Sequence, residues 1–292
     1  MTKIGVIGIE DAWSSLQLLD AVEKATGFRC LIDMSKVRLD LPSGRMMHGD
    51  LNIASLDALL IKKMGAVYST DLLDRLDMLR LLENRGLPIF SSPLSIMQVL
   101  NRLTCTITLQ SAGIPMPRTV VTESVSHAME TVKEFGEAVF KPLFSTKARG
   151  MIILNGADVS ETDVLSFRQQ NPVMYIQKKI AIPGRDLGVV FLGGEYLTTY
   201  ARVKTQSDIW TTSTAFGGKY EACDPSDEII ALAQKSQQAF NLDFTCVDVV
   251  ETAEGPMVFE VSAFGGFKGI AQTSGIDAAE LYVAYVLKKI GK

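Results

Sequence analysis

The fold is decided by two runs, Val247-Asp248-Val249-Val250-Glu251 and Met257-Val258-Phe259-Glu260-Val261-Ser262, which five residues separate. Apolar and polar residues alternate along both runs, which is typical of half-buried strands joined in a hairpin. If Glu251 pairs with Met257, Asp248 falls directly opposite Glu260, with Ser262 on the same face. The opposite, core-facing side of this predicted hairpin carries Val247, Val249, Met257, Phe259 and Val261.

Two carboxylates that face each other across a hairpin repel unless a cation or a proton lies between them. The chain has only two histidines, His48 and His127, and its cysteines are scattered, so any metal site here needs oxygen ligands. Oxygen ligands favour magnesium. Two interpretations of Asp248 and Glu260 stay open at this point: a metal site, or a solvated polar face whose charges happen to align.

Composition excludes several classes of function. The 292 residues are 47% hydrophobic and 21% charged, with a net charge of -4 and a pI near 5.4. An acidic chain of this kind is not typical of proteins that bind nucleic acid or anionic membranes, because both need a basic face. Glu10 and Asp11 interrupt the apolar start where a signal peptide would continue. Four separate cysteines without CxxC spacing favour a reducing, cytoplasmic compartment.

The first ninety residues alternate short apolar runs with helical patterns, which predicts a small parallel sheet with helices on both faces. The predicted elements are strands at Lys3–Ile9, Phe28–Ile32, Ala58–Ile61 and Pro88–Phe90, and helices from Trp13 to Gly27 and from Leu72 to Gly86. The Gly5-Val6-Ile7-Gly8 run lacks the GxGxxG spacing of a dinucleotide loop. It is compatible with nucleotide binding or with a plain strand-to-helix turn.

Beyond Pro93 the pattern changes to a larger α+β body. The predicted helices are 94–111, 124–135, 160–170, 226–240 and 277–290. The predicted strands are 118–121, 138–141, 151–154, 173–177, 186–192, 195–202, 244–251 and 257–261. Gly193-Gly194, between two of these strands, is a strong hairpin signal.

Three cationic segments are candidates for anion binding. Lys141 ends the apolar run Ala138–Phe140, where a lysine can reach a phosphate or extend its ammonium group into water. The loop 145–150 holds Lys147 and Arg149 among small residues and is either a cover for polyphosphate or a solvated loop. Arg202, with Lys204 on the same strand face, indicates either an anion site or a charged edge strand.

The order of several motifs along nearly the whole chain resembles the RimK-like branch of the ATP-grasp ligases. The motifs are Asn101-Arg102-Leu103, Ala112–Pro117, Val139-Phe140-Lys141-Pro142, Tyr175-Ile176-Gln177 before Asp186, Trp210–Gly218, Val247-Asp248-Val249, Gly255–Ser262 and Gly265–Asp277. The resemblance implies an ATP-grasp fold, mixed α/β and α+β, with a Rossmann-like N-terminal domain. It divides the chain into an N-terminal domain (1–92), a central ATP-grasp subdomain (93–180) and a C-terminal one (181–292).

The resemblance also assigns roles to particular residues. For the nucleotide these are Arg102, Lys141, Lys147 and Arg149 toward the phosphates, Gln177, Lys178, Lys179 and Ile180 toward adenine, and Asp186 toward the ribose. Asp248, Glu260 and Ser262 are the implied metal ligands, for magnesium or for manganese in its place. Arg202 and Lys268 are the implied catalytic residues. The chain departs from the family pattern at the hinge, where Lys178 replaces an acidic residue, and at Ser262, which replaces an asparagine. Further departures, in the 210–218 loop, are Thr211, Ser213 and Phe216.

The activity that the resemblance implies is ATP-dependent joining of a carboxylate and an amine through an acyl phosphate. An amino acid such as glutamate would be added to a small-molecule or peptide acceptor, by a cytoplasmic homo-oligomer that binds neither nucleic acid nor membrane. The alternative is a non-catalytic member of the family that binds a nucleotide or another ligand at a degenerate site.

Overall fold

The structure of the protein is a computed structural model that describes residues 1–206 and 210–292. Within these ranges the helices are α1 (Trp13–Thr26), α2 (Asp71–Glu83), α3 (Pro93–Leu100), α4 (Arg102–Ser111), α5 (Val125–Phe135), α6 (Glu161–Gln170), α7 (Asp227–Gln238), α8 (Phe267–Thr273) and α9 (Ala278–Lys289). The strands of the first ninety residues are β1 (Ile4–Ile7), β2 (Leu31–Ile32), β3 (Val37–Asp40), β4 (Arg45–His48), β5 (Leu51–Asn52), β6 (Ala58–Ile61) and β7 (Ile89–Phe90). The later strands are β8 (Thr119–Thr122), β9 (Glu137–Lys141), β10 (Ile152–Asn155), β11 (Met174–Lys178), β12 (Arg185–Leu192), β13 (Glu195–Val203), β14 (Lys219–Ala222), β15 (Phe244–Thr252) and β16 (Gly255–Ser262).

The N-terminal sheet is parallel, in the order β2-β1-β6-β7. Every residue of β1 and β6 is buried, as expected when helices or other elements cover both faces of a parallel sheet. Helix α1 ends as predicted at Gly27, whose φ of 72° places it in the left-handed region where glycine caps helices. The alternation of apolar runs and helices therefore predicted this sheet correctly, although β1 and β2 are shorter than expected.

A second, antiparallel sheet of strands β3-β4-β5 is inserted between β2 and β6, and the sequence pattern did not predict it. Its strands are at most four residues long and contain charged or polar residues such as Arg38, Asp40 and Arg45. Short half-buried strands of this composition give little alternation to recognise.

The central sheet, in the order β10-β9-β11-β8, is antiparallel and packs against α5 and α6. Phe140 of β9 meets Phe167 of α6 edge to face, with 5.3 Å between ring centroids. Before this sheet, the single helix predicted for 94–111 is wrong: α3 and α4 are separate. The Asn101 side chain accepts hydrogen bonds from the N–H groups of Leu103 (2.9 Å) and Thr104 (3.3 Å), and so caps a new helix.

The C-terminal sheet has the order β14-β13-β12-β15-β16. The predicted turn at Gly193-Gly194 joins β12 and β13, and both glycines have positive φ, 62° and 85°. Strand β14 and the short helix α8 were not predicted. Both follow glycine-rich stretches, which usually indicate loops.

The β15–β16 hairpin confirms the predicted pairing of Asp248 with Glu260 but not the rest of the register. Thr252 pairs with Gly255, so the turn is shorter than the predicted five residues. A bulge at Phe259 absorbs the difference, because Val249 pairs with Val258 rather than with Phe259. Val258 is therefore fully buried, and the prediction that Met257 and Phe259 face the core is wrong.

The first and last helices share one apolar core. Leu18 and Val22 of α1 lie in the same cluster as Tyr282 and Val283 of α9, and all four are buried. The ends of the chain are thereby packed together, while the boundaries at residues 92 and 180 stay a prediction. No helix in the described ranges has the length and apolar character needed to cross a membrane.

Candidate active site

One face of the C-terminal sheet carries a row of charged side chains. Arg202 on β13 pairs with Asp186 on β12, and Asp248 on β15 pairs with Glu260 on β16. Asp248 also lies opposite Gly188, two residues from Asp186 on the same strand. Because side chains alternate along strands, these registers put all four charged groups on one face.

Arg202 links two of the acidic groups. Its Nε lies 3.1 Å from both carboxylate oxygens of Asp186, and its guanidinium also lies 2.9 Å from Asp248 Oδ1. Burial raises the pKa of Asp248, the Arg202 charge opposes this, and the Glu260 charge adds to it. The face therefore holds more negative charge than one arginine balances. The ribose role of Asp186 stays a prediction; Arg202 occupies both of its oxygens.

Arg102, at the start of α4, is the second arginine of the row and is buried. One terminal nitrogen donates to Glu260 Oε2 at 2.9 Å, and the other donates to Ser145 Oγ at 3.3 Å. Its Nε donates to the carbonyl of Pro142 at 3.3 Å. Arg102 thus joins the carboxylates of the C-terminal sheet to the loop that follows β9 of the central sheet.

Lys141 is buried at the end of β9, so the interpretation in which its ammonium group extends into water is wrong. Its Nζ donates to Gln177 Oε1 at 2.5 Å and lies 5.2 Å from the centroid of the Phe259 ring. Burial and, to a smaller extent, the Arg102 charge lower the pKa of Lys141 to about 7, although the Glu260 charge opposes both. An anion bound beside Lys141 would restore its charge.

The hinge after β11 presents few groups to a ligand. The Lys178 N–H donates to the Arg118 carbonyl (2.8 Å), and the Lys179 N–H donates to the Glu137 carbonyl (3.0 Å). The Lys179 ammonium also binds the Glu137 carboxylate, at 2.9 Å. Within the described ranges the Ile180 N–H forms no hydrogen bond, which makes it the hinge donor available to a base.

The loop between β9 and β10 has a strained backbone. Lys147 and Ala148 have φ values of 58° and 59°, in a region that residues other than glycine seldom adopt. The side chains of Lys147 and Arg149 are exposed, and the Ser213 hydroxyl donates to the Lys147 carbonyl at 3.4 Å. Strain of this kind clusters at ligand-binding loops, which is compatible with the predicted cover over phosphates.

The structure brings the candidate residues together unequally. Arg102 binds Glu260, Arg202 binds Asp186 and Asp248, and Asp248 lies opposite Glu260 on the neighbouring strand. Lys141 binds Gln177, close enough to Arg102 and Glu260 for their charges to act on it. Ser262 ends the same hairpin, where its hydroxyl accepts from the Phe264 N–H at 3.3 Å. Lys268 is exposed on α8 and, in the described residues, forms no hydrogen bond or ion pair with any of these groups.

Two lysines at the end of β6 escaped the sequence analysis. Lys62 is buried, donates to the Gly265 carbonyl and lies 3.6 Å from the centroid of the Phe267 ring. Lys63 follows it and is half-buried. The signal was present, since both lysines follow the apolar run Ala58–Ile61 as Lys141 follows Ala138–Phe140.

The residues present suit magnesium and a polyphosphate. Asp248, Glu260 and Ser262 offer oxygen ligands, the type that magnesium prefers. Residues 1–206 and 210–292 contain no group of three or more acidic, histidine or cysteine side chains arranged to hold a metal. Two carboxylates are, however, sufficient for magnesium, which usually keeps several waters and substrate phosphates as ligands. The cations Arg102 and Lys141 lie beside the carboxylates and suit phosphate oxygens.

Comparison with known proteins identifies the fold. The RimK-like ATP-grasp domain matches residues 99–286. The ATP-grasp ligase PsnB, complexed with a phosphomimetic variant of its minimal precursor, Mg and ADP, superposes with a TM-score of 0.77 at 17% identity and covers 99% of both chains. A RimK domain ATP-grasp protein from Sphaerobacter thermophilus gives a TM-score of 0.75 at 20% identity, over 97% of this chain and 99% of that one. The predicted ATP-grasp fold is confirmed.

A curated relative spans the whole length as well. A tetrahydromethanopterin:alpha-L-glutamate ligase from Methanosarcina acetivorans is 26% identical over 98% of this chain and 99% of its own. A probable alpha-L-glutamate ligase from an Enterobacter species is 24% identical over 97% of this chain and 95% of its own. The similarity therefore extends into the N-terminal region, beyond the matched domain.

Proposed function

Because the chain belongs to the RimK-like ATP-grasp family, we propose that it is an ATP-dependent ligase that joins a carboxylate to an amine. The observation that carries the proposal is the row of Asp248 and Glu260, flanked by Arg202 and Arg102, beside the buried Lys141. Such a row suits a reaction whose main requirement is the neutralisation of phosphate charge.

The amine is proposed to be that of an amino acid such as glutamate, and the acceptor a small-molecule or peptide carboxylate. The full-length relatives named as glutamate ligases support this choice. No side-chain nucleophile is required, since bound ATP supplies the phosphoryl group that activates the carboxylate as an acyl phosphate.

The buried cations are proposed to bind and orient the polyphosphate. A phosphate beside Lys141 would replace part of its hydrogen bond to Gln177 and favour the charged ammonium group. Arg102 would approach the same phosphates from α4. Ile180 offers its N–H to the base. These groups fix the nucleotide relative to the carboxylate row, and positioning of this kind supplies much of the rate enhancement in phosphoryl transfer.

Asp248 and Glu260 are the proposed metal ligands, with Ser262 as a neutral oxygen. In the structure each carboxylate has an arginine partner: Arg202 for Asp248 and Arg102 for Glu260. Magnesium is the expected ion, with manganese as a substitute that provides similar ligand geometry. If the two carboxylates held magnesium, the guanidinium groups of Arg102 and Arg202 would be free to bind phosphate or carboxylate oxygens of the substrates.

The loop of Lys147 and Arg149 is proposed to cover the phosphates and exclude water from the activated carboxylate. Lys268 and Arg202 are the proposed contacts to the reacting groups. A homo-oligomer in the cytoplasm, without nucleic acid or membrane, stays the proposed setting.

The test is ADP release from Mg-ATP, measured with L-glutamate and a panel of carboxylate acceptors that includes L-glutamyl-L-glutamate. A ligase releases ADP only when amine and carboxylate are both present and forms an equal amount of amide product. A non-catalytic nucleotide-binding protein would show ATP-dependent thermal stabilisation without ADP release. Removing magnesium with a chelator should abolish both ADP and product.

A further inference from the structure

The N-terminal parallel sheet has its own place for a ligand. From β1 the chain passes to β2 on one side of the sheet, whereas β6 and β7 lie on the other side. The order therefore reverses between β1 and β6. In open parallel sheets ligands bind outside the carboxyl ends of the strands at this point. The residues that follow β6 there are Lys62 and Lys63.

The backbone fixes Lys63 at this edge. The N–H groups of Lys62 and Lys63 both donate to the carbonyl of Ile7, the last residue of β1, at 2.9 and 3.1 Å. The Lys62 side chain is buried against Gly265, while that of Lys63 is half-buried. The two ammonium groups thus have different surroundings.

The charges that act on Lys63 come from residues 145–150, the loop between β9 and β10, called the cover loop below. Partial burial lowers the pKa of Lys63, and the positive charges of Lys147 and Arg149 lower it further. Within residues 1–206 and 210–292, none of these three cations forms an ion pair with a carboxylate. Tyr68, five residues after Lys63, lines one cavity together with Ser145 and Thr146 of the same loop. The two segments therefore border a shared space, in which their cations favour an anion.

We propose that Lys63 binds the carboxylate of the acceptor, together with Lys147 and Arg149 of the cover loop. This assignment rests on the proposed ligase function and adds a specificity residue to it. The acceptor carboxylate must approach a polyphosphate of the same charge sign, and the three cations offset that repulsion.

A carboxylate is favoured over a nucleotide phosphate as the partner of Lys63. Lys63 lies outside residues 99–286, the part of the chain that matches the ATP-grasp domain. The four cations expected at the phosphates, Arg102, Lys141, Lys147 and Arg149, all lie inside that range, and the last two border both the phosphates and the proposed acceptor carboxylate. A residue contributed by the N-terminal region is therefore suited to select the acceptor.

The experiment is calorimetric titration of L-glutamyl-L-glutamate into the full chain saturated with Mg²⁺ and a non-hydrolysable ATP analogue. Lys63→Met should weaken dipeptide binding about tenfold or more, because a charge-assisted pair is lost. Lys63→Arg should restore most of the affinity. The matched control is Lys3→Met, an exposed lysine at the opposite, amino end of the same sheet, which should leave binding unchanged.

The affinity for the ATP analogue, titrated separately, should stay within about twofold in Lys63→Met, which also shows that the variant is folded. The assignment is overturned if the dipeptide binds Lys63→Met as tightly as the wild type, if the fully amidated dipeptide binds equally well, or if the wild type binds neither. If Lys63→Met weakened binding of the ATP analogue but not of the dipeptide, Lys63 would be assigned to a phosphate, and the proposed carboxylate role would also be overturned. ADP release by the wild type tests the ligase function separately, so a failure at Lys63 alone is recognisable.

Discussion

Single side chains decide the charge balance of the site. The sequence alone predicts that facing carboxylates repel, so that removing one charge should leave the ligand-free protein equally stable or more stable. The structure changes this expectation, because Glu260 is the partner of the buried Arg102 at 2.9 Å. A buried arginine that loses its carboxylate pays a desolvation penalty.

Glu260→Gln should therefore lower ligand-free stability slightly, by roughly 1 kcal/mol or less, since Glu260 itself is partly exposed. It should also abolish the magnesium-dependent part of the thermal shift with ATP. Glu251→Gln, on the same hairpin, is the control, since it removes an exposed ion pair with Arg185 of β12. Thermal melts with and without Mg-ATP measure both effects. A magnesium response equal to that of the wild type would remove Glu260 from the metal site.

Lys141→Met should weaken Mg-ATP binding by about 10- to 100-fold while leaving the ligand-free melting temperature at pH 7 unchanged or higher. The reason is that Lys141 is buried and already has a lowered pKa, about 7, so methionine replaces it in the free protein at little cost. Lys178→Met, at an exposed position of the neighbouring strand, should change neither quantity. Equal nucleotide affinity in both variants would contradict the phosphate role.

At the scale of elements, the proposed adenine-binding segment after β11 would set the base preference. The side chain of Lys178 is exposed and that of Lys179 binds Glu137, so the backbone at Ile180 is left to recognise the base. We expect only modest discrimination between ATP and GTP, roughly tenfold or less, since one backbone contact leaves few polar groups unpaired with the wrong base. Competition of GTP against a fluorescent ATP analogue measures it. Rejection of GTP by several hundredfold would show that another side chain reads the base.

How far the sequence predicts an element depends on how strongly its residues alternate. The pairing of Asp248 with Glu260 was predicted from alternation and an assumed five-residue turn, and it holds because the bulge compensates for the shorter turn. The Gly193-Gly194 turn followed from its glycines. The bulge at Phe259 did not, because an extra residue in one strand leaves the composition unchanged. The cap at Asn101 carries a recognisable residue type, yet the apolar pattern continues across it and conceals the break between α3 and α4.

At the scale of the whole molecule, the site depends on contacts between distant segments that sequence patterns do not encode. Arg102 and Glu260 are 158 residues apart, and Lys62 and Gly265 are 203 apart. The resemblance to a family supplied the residue types at the site. It did not supply the pairing of each carboxylate with an arginine, since that pairing requires the packed chain.

Lys62 gives this packing a pH dependence. Burial lowers its pKa to about 7 from 10.5 in the unfolded chain. Between these values the unfolded chain binds a proton that the folded chain does not. The free energy of unfolding therefore rises with pH from about 7 upward, by at most about 1.4 kcal/mol per pH unit. Below pH 7 both states bind the proton, and the free energy of unfolding stays at its lower value.

Lys62→Met should remove that dependence while filling the same space between Gly265 and Phe267. The unfolding free energy of the wild type minus that of the variant should increase from pH 7 to 9. Urea denaturation at pH 6, 7, 8 and 9 measures it, with the exposed Lys3→Met as control. A difference that stays constant over this range would show that Lys62 keeps its proton when folded.

The pairing of each carboxylate with its own arginine also bears on how the catalytic cycle ends. If Asp248 and Glu260 hold the metal, Arg202 and Arg102 would be tethered counter-ions that pair with them again once the metal and the spent nucleotide have left. Departure of the products would then not leave two unpaired carboxylates facing each other. We expect fast dissociation of ADP, at a rate that depends only weakly on ionic strength. The reason is that the charges that neutralise the two carboxylates belong to side chains of the protein and not to dissolved ions.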